Sequence, residues 1–129
     1  MIDNKFRVLL ADTREALQLH YMIRYRVFCL ETKYEDEKAF PDKMERDSYD
    51  KQSVHFLVRA EETGQWVASM RLVIGSLRSL PLMEYCNLDP GVGPPLDVPA
   101  AEISRLLVIL IYRRGKSEVF RLAERRALE

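Results

Sequence analysis

Apolar residues along the chain form short strand-like runs and one long helical stretch, separated by two segments with little apolar order. Phe6 to Leu10 is a short apolar run that predicts a first strand. Asp12 then reads as a helix N-cap, with Glu15 three residues on closing a capping box. The helix is expected to run to about Leu30, because Ala16, Leu17, His20, Ile23, Val27 and Phe28 recur on one face at helical spacing. Glu31 to Ser53 has no apolar periodicity and is dense in charge, which predicts a long loop of the functional or mobile kind. Val54 to Ala60 and Trp66 to Ile74 read as two strands of a hairpin turned by Glu61-Glu62-Thr63-Gly64-Gln65. Gly75 to Ala101 holds five prolines and three glycines and is expected to be mostly loop, with a short helix around Met83 to Asn87. Leu106 to Ile111, apolar on both faces, fits a central buried strand. After the turn Tyr112 to Lys116, Ser117 should cap a last helix whose apolar residues are Val119, Phe120, Leu122 and Ala123. No internal repeat or linker interrupts the pattern, so residues 1–129 are expected to form a single domain.

Charges break this pattern at informative places. Arg24 falls on the core face of the helix, whereas Arg26 points about the opposite way. A buried, unpaired guanidinium costs several kcal/mol, so Arg24 either asks for carboxylates from elsewhere or snorkels to water at the helix edge. Arg71 shares its strand face with Val67, Ser69 and Val73. Asp47 and Asp50 in the long loop, and Glu102 and Arg105 at the entry to the last strand, complete the set. Converging, they would form a network that fixes the loop and leaves one carboxylate with a perturbed pKa; they could equally be solvated loop charges or a purely structural network. Glu102 and Arg105, three apart, face opposite sides of a regular strand, so both reach one site only if a bulge intervenes.

Composition removes several function classes. Lysine plus arginine and aspartate plus glutamate balance at 20 each, so bulk charge points to no nucleic-acid or membrane partner. Cys29 and Cys86 have no pairing or ligand spacing and read as buried, reduced thiols of a cytoplasmic protein. The first residues show no signal-peptide pattern, and the longest apolar run is far short of the roughly 20 residues of a membrane helix. Two histidines without clustered acids give no metal site. A Cys29–His55 nucleophile pair is disfavoured, because Cys29 lies near the exposed side of the helix wheel and nothing orients the histidine. Arg113-Arg114-Gly115-Lys116-Ser117 ends like a P-loop, but Leu110 stands where that motif requires its first glycine.

The ordered set Arg24-x-x-x-Phe28, Glu45-x-Asp47-x-Tyr49-Asp50, Arg71 and Glu102-x-x-Arg105 resembles the signature of acyl-homoserine-lactone synthases. Arg24 to Glu31, Pro41-Asp42 through Asp50, Ser53-Val54-His55, Arg71-Leu72-Val73 and Glu102-Ile103-Ser104-Arg105 are similar to one branch in particular. That branch comprises the N-acyl amino acid synthases and the exosortase-system-associated acyltransferases. The resemblance spans nearly the whole chain and implies a GNAT-like three-layer α/β fold. Two departures stand out. Tyr34 occupies the position of a lactone-synthase tryptophan, and the family's strands beyond the last helix are absent, which would leave an unpaired sheet edge open to homodimerisation.

By resemblance, the acyl group arrives as a phosphopantetheine thioester on acyl carrier protein and passes to the amine of an amino acid or related small molecule, with no permanently bound cofactor. Glu102 would be the base, directly or through a water. Arg24, Asp47, Asp50, Arg71 and Arg105 would build the pocket, with arginines available for an acceptor carboxylate. Phe28 and Tyr34 would border the acyl site, and the backbone at Leu106, Leu107 and Val108 would hold the oxyanion. Arg113, Arg114, Gly115, Lys116 and Ser117 would receive the phosphopantetheine phosphate. Acyl-coenzyme A as donor, or a non-catalytic domain that binds a carrier protein or partner, are the rival readings.

Overall fold

The structure, a computed structural model, describes residues 5–86, 95–115, 125–126 and 128. Four strands form one antiparallel sheet in chain order: β1 (Phe6–Leu10), β2 (Ser53–Ala60), β3 (Trp66–Ser76) and β4 (Pro99–Val108). The helix α1 (Arg14–Arg24) packs on β2 and β3. Ile23 and Val27 meet Leu57, Val58, Val67, Ala68, Leu107, Val108 and Ile109 in a buried apolar cluster. Burial of this kind contributes roughly 1.5–3 kcal/mol per large side chain. No helix among the described residues is long and apolar enough to cross a membrane.

The helix starts one residue later than the capping pattern suggested. Ala11 is still tied to β2 through its amide and the His55 carbonyl at 2.8 Å. The turn out of the strand therefore places Thr13 at the boundary, where its Oγ1 accepts the Ala16 amide at 3.1 Å. Asp12 is not the cap, and Glu15 closes no capping box.

After Arg24 the helix widens into a π segment (Tyr25–Glu31), a geometry that is rare and concentrates at functional sites. A wider helix turns through fewer degrees per residue, so the α-helical wheel drifts beyond this point. Cys29, read from the sequence as a buried thiol, is buried, although an α-helical wheel sets it near the exposed side. Cys86, expected to be buried, is exposed.

The long loop is ordered by its own side chains into two 3-10 turns, Glu37–Ala39 and Ser48–Gln52, capped by Asp36 and Asp47. The hairpin forms as expected, with Gly64 at φ +72° in its turn. The proline-rich segment contributes two more 3-10 turns, Leu77–Ser79 and Pro81–Glu84, rather than a helix at Met83.

β4 differs most from expectation. It begins at Pro99, because residues 99–101 continue the pairing with Ser76, Gly75 and Ile74, and it ends at Val108. It is the edge of the described sheet rather than a central strand, with Ile103 exposed and only Leu107, Val108 and Ile109 buried at its end. Leu110 and Ile111 belong to a 3-10 segment (Leu110–Gly115) and are exposed. The expected helix from Ser117 lies outside the described residues.

Candidate active site

Arg24 stands at the junction of α1 with its π extension and is 0% exposed. Its Nε donates to Glu45 Oε2 at 2.6 Å, while Nη1 and Nη2 donate to Asp50 Oδ1 and Oδ2 at 2.6 and 3.2 Å. The core-facing arginine thus has carboxylate partners, and the snorkelling alternative is excluded. Glu45, 1% exposed, is brought there by the backbone: its amide donates to the Tyr21 carbonyl at 3.0 Å, in the last α-helical turn.

Asp50 is delivered by the second 3-10 turn. Asp47 caps that turn through the Tyr49 amide at 2.9 Å, and Asp50 Oδ2 returns to the Asp47 amide at 2.7 Å. Asp50 Oδ1 also accepts from His55 Nε2 at 3.0 Å and from Arg71 Nη1 at 3.1 Å. Burial pushes the Asp50 pKa up, but hydrogen bonds from His55 and Arg24, with the Arg24 charge, hold it far below the usual carboxylate range. Asp50 is therefore a fixed anion.

Arg71, in β3, points to the helix side, donating to Asp47 Oδ1 at 2.6 Å and, through Nε, to Ser104 Oγ at 3.0 Å. Its guanidinium lies 5.9 Å over the Tyr49 ring.

Arg105 enters through a bulge. Ser69 pairs with Leu107 and Arg71 with Ser104, so β4 carries one extra residue across this step. The backbone there turns left-handed, with Arg105 at φ +51°, a conformation uncommon for a non-glycine residue. The required bulge is thus present. Arg105 Nη2 reaches Asp47 Oδ2 at 3.2 Å, Glu45 Oε1 at 3.3 Å and Glu35 Oε1 at 3.6 Å. The Arg105 guanidinium stacks 5.5 Å over the Phe28 ring.

Asp47, Arg71, Glu102, Ser104 and Arg105 line a cavity of about 570 Å³, whereas Arg24, Phe28 and Asp50 are not part of its wall. Glu102 stands apart from the ion-paired cluster. Its Oε1 accepts the Leu82 amide at 2.8 Å, and it has no cationic partner among the described residues.

The expected acyl and phosphopantetheine residues are more scattered. Tyr34 is 80% exposed and outside the cavity wall, and Leu107 and Val108 are buried in the core. Leu106 is half-buried beside the bulge. Arg113 is occupied: Nη2 donates to Glu31 Oε1 at 2.8 Å and Nε to the Val108 carbonyl at 3.0 Å. The Ile109 amide pairs with the Val67 carbonyl at 2.9 Å, so strand alternation turns the Val108 amide, like its carbonyl, to the side of β4 away from β3. Arg114 and Gly115 continue the 3-10 segment, and Lys116 and Ser117 lie outside the described residues.

Sequence reasoning missed three participants. Glu45 was quoted only as part of a motif. His55, taken as an ordinary strand residue, orients Asp50, and its ring lies 4.7 Å from that of His20, edge to face. His20 is fully buried with Nε2 donating to the Met70 carbonyl at 3.3 Å; burial, then the charges of Arg24 and His55, lower its pKa to about 3, so it is neutral. Its place on the apolar helix face was the available signal. Among the described residues, no group of three or more His, Cys, Asp or Glu is placed to hold a metal ion.

Residues 23–123 match the family described as acetyltransferase (GNAT) domain. No curated protein matches the chain. A crystal structure of TofI in a ternary complex with an inhibitor and MTA is similar at 27% identity and a TM-score of 0.49, over 81% of this chain and 56% of that one. This chain therefore spans little more than half the length of that relative.

Proposed function

This chain belongs to the GNAT acetyltransferase family, and on that premise we propose that it moves an acyl group from a carrier-bound thioester to the amine of a small molecule. The acceptor class is an amino acid or a related amine, and the donor is acyl carrier protein. The observation that carries the reading is the Arg105 bulge, which sets Glu102, Ser104 and Arg105 into one cavity with Arg71 and Asp47. The ordered motif from Arg24 to Arg105 adds the branch.

An amine attacks a thioester only in its neutral form, so a base must first take the ammonium proton. Glu102 suits this role because its carboxylate is held by one backbone amide and is not tied to an arginine. Arg24, Glu45 and Asp50 act behind it, fixing Asp47, Arg71 and Arg105 in place. The Val108 amide, on the side of β4 away from β3, would be the donor for the oxygen that becomes negative as the tetrahedral intermediate forms.

The acetyltransferase description of the family favours a second reading, with acyl-coenzyme A as donor. The test is to incubate the purified protein with pooled amines and either long-chain acyl carrier protein or the matching coenzyme A thioester, and to detect N-acyl products by mass spectrometry. Product from the carrier protein supports the first reading. Product from coenzyme A alone selects the second, and no product from either thioester rejects both.

A further inference from the structure

The cavity beside the bulge holds an excess of negative charge. Five carboxylates line it against three guanidinium groups. Those arginines are already matched: Arg71 to Asp47 and Asp50, Arg105 to Asp47 and Glu45, and Arg46 to Asp42 outside the cavity. Glu84 and Glu102 have no cationic partner among the described residues; they accept instead from the Tyr49 hydroxyl and the Leu82 amide. A carboxylate entering here would meet arginines whose charge is neutralised and two carboxylates of its own sign.

The rest of the wall points the same way. The rings of Phe40, Tyr49 and Tyr85 line the cavity with Glu84 and Glu102. Ring faces attract organic cations, as carboxylates do.

We infer, resting on the acyl-acceptor reading of this cavity, that the acceptor is an organic dication of the diamine or polyamine class that carries no carboxylate. One ammonium gives a proton to Glu102 and becomes the nucleophile. Its nitrogen bonds to the thioester carbon, the carbon–sulfur bond breaks, and the second amine proton leaves with the sulfur as a free thiol. The other ammonium keeps its charge and is held by Glu84 and the tyrosine rings.

Two pairs of probes differ only by a carboxylate: putrescine against ornithine, and cadaverine against lysine. Calorimetric titration of the whole chain is expected to show each diamine binding at least tenfold tighter than its amino acid. Glu84→Gln should shrink that ratio at least threefold without moving the melting temperature. An amino acid binding as tightly as its diamine, or neither binding, overturns the inference. Acyl transfer to ornithine or lysine but not to the diamines also overturns it, while leaving the proposed function standing. A diamine preference in binding, with no acyl product from any amine, instead supports the cation site and overturns the proposed acyl transfer.

Discussion

Glu45 and Glu102 belong to the wall of one cavity and have opposite surroundings. Glu45 is buried between Arg24 and Arg105, and its neighbours Asp47 and Asp50 are each shared between two or more cationic or amide donors. Glu102, on the outer side, accepts one backbone amide and meets no cation among the described residues. The inner group has nearly all its hydrogen-bonding capacity used within the protein, so it can hold geometry but has little left for a substrate. The outer group retains capacity for a proton or an ammonium. A charged residue in a cavity is informative about chemistry only after its internal partners have been counted.

Removing an inner cation should have the largest effect on folding. Arg24→Ala strands Glu45 and Asp50 as buried anions without their main partner, which costs about 3–5 kcal/mol. Thermal unfolding should show a drop of roughly 10 °C or more. An unchanged melting temperature would mean that water replaces the guanidinium easily, and the division between inner and outer groups would collapse.

Glu102→Gln is the converse experiment. The amide side chain can still accept the Leu82 amide, so stability should change by less than about 1 kcal/mol, while turnover falls by roughly 10²–10⁴-fold. Stability measured beside turnover gives the comparison its sharpest form, since Arg24 and Glu102 should exchange which quantity is lost.

Much of this division was legible in the sequence. Arg24 and Arg71 were visible as cations on apolar faces, because helical and strand periodicities fix direction. The bulge was required by the spacing of Glu102 and Arg105, yet only backbone pairing could place it, and it does so at Arg105 itself. Glu45 escaped because it lies in a loop, where no periodicity tells an inward charge from a solvated one. The wheel position of Cys29 conflicted with its reading as a buried thiol for a different reason: the change from α to π geometry after Arg24 alters the rotation per residue, and no residue pattern announced it. The strand role of residues 99–101 was hidden by Pro99, which an edge strand tolerates at its first position.

Acid titration tests the inner region without disturbing its charges. His20 is neutral in the fold, with its pKa lowered from 6.5 to about 3, first by burial and then by the charge of Arg24. The unfolded chain therefore binds one more proton than the folded one between those values. Stability is fully present above pH 6.5 and is lost as pH falls toward 3, at about 1.4 kcal/mol per pH unit. Asp50 adds a loss of the same sign once the pH drops below 3.8. In His20→Gln, which keeps a donor for the Met70 carbonyl, the slope between pH 6.5 and 4 should flatten. A wild-type slope that is already flat there would show that the imidazole is not buried as neutral.

The outer region has its own titration, and it should leave folding nearly untouched. The Tyr49 hydroxyl donates to Glu84, and this hydrogen bond is the first cause that raises the tyrosine pKa to about 12. The protonated ring is the form that is held, so the interaction is present below pH 10 and disappears as pH rises through 12. The protein has six tyrosines, so the ultraviolet difference between wild type and Tyr49→Phe is needed to isolate this ring. Its ionisation is expected near pH 12 in the wild type and at lower pH in Glu84→Gln, with the melting temperature at neutral pH unchanged in both variants. A Glu84→Gln protein that melted well below wild type would assign Glu84 to the scaffold with Glu45 and Asp50. It would also move the boundary between holding and reacting groups outward, to the rim of the cavity.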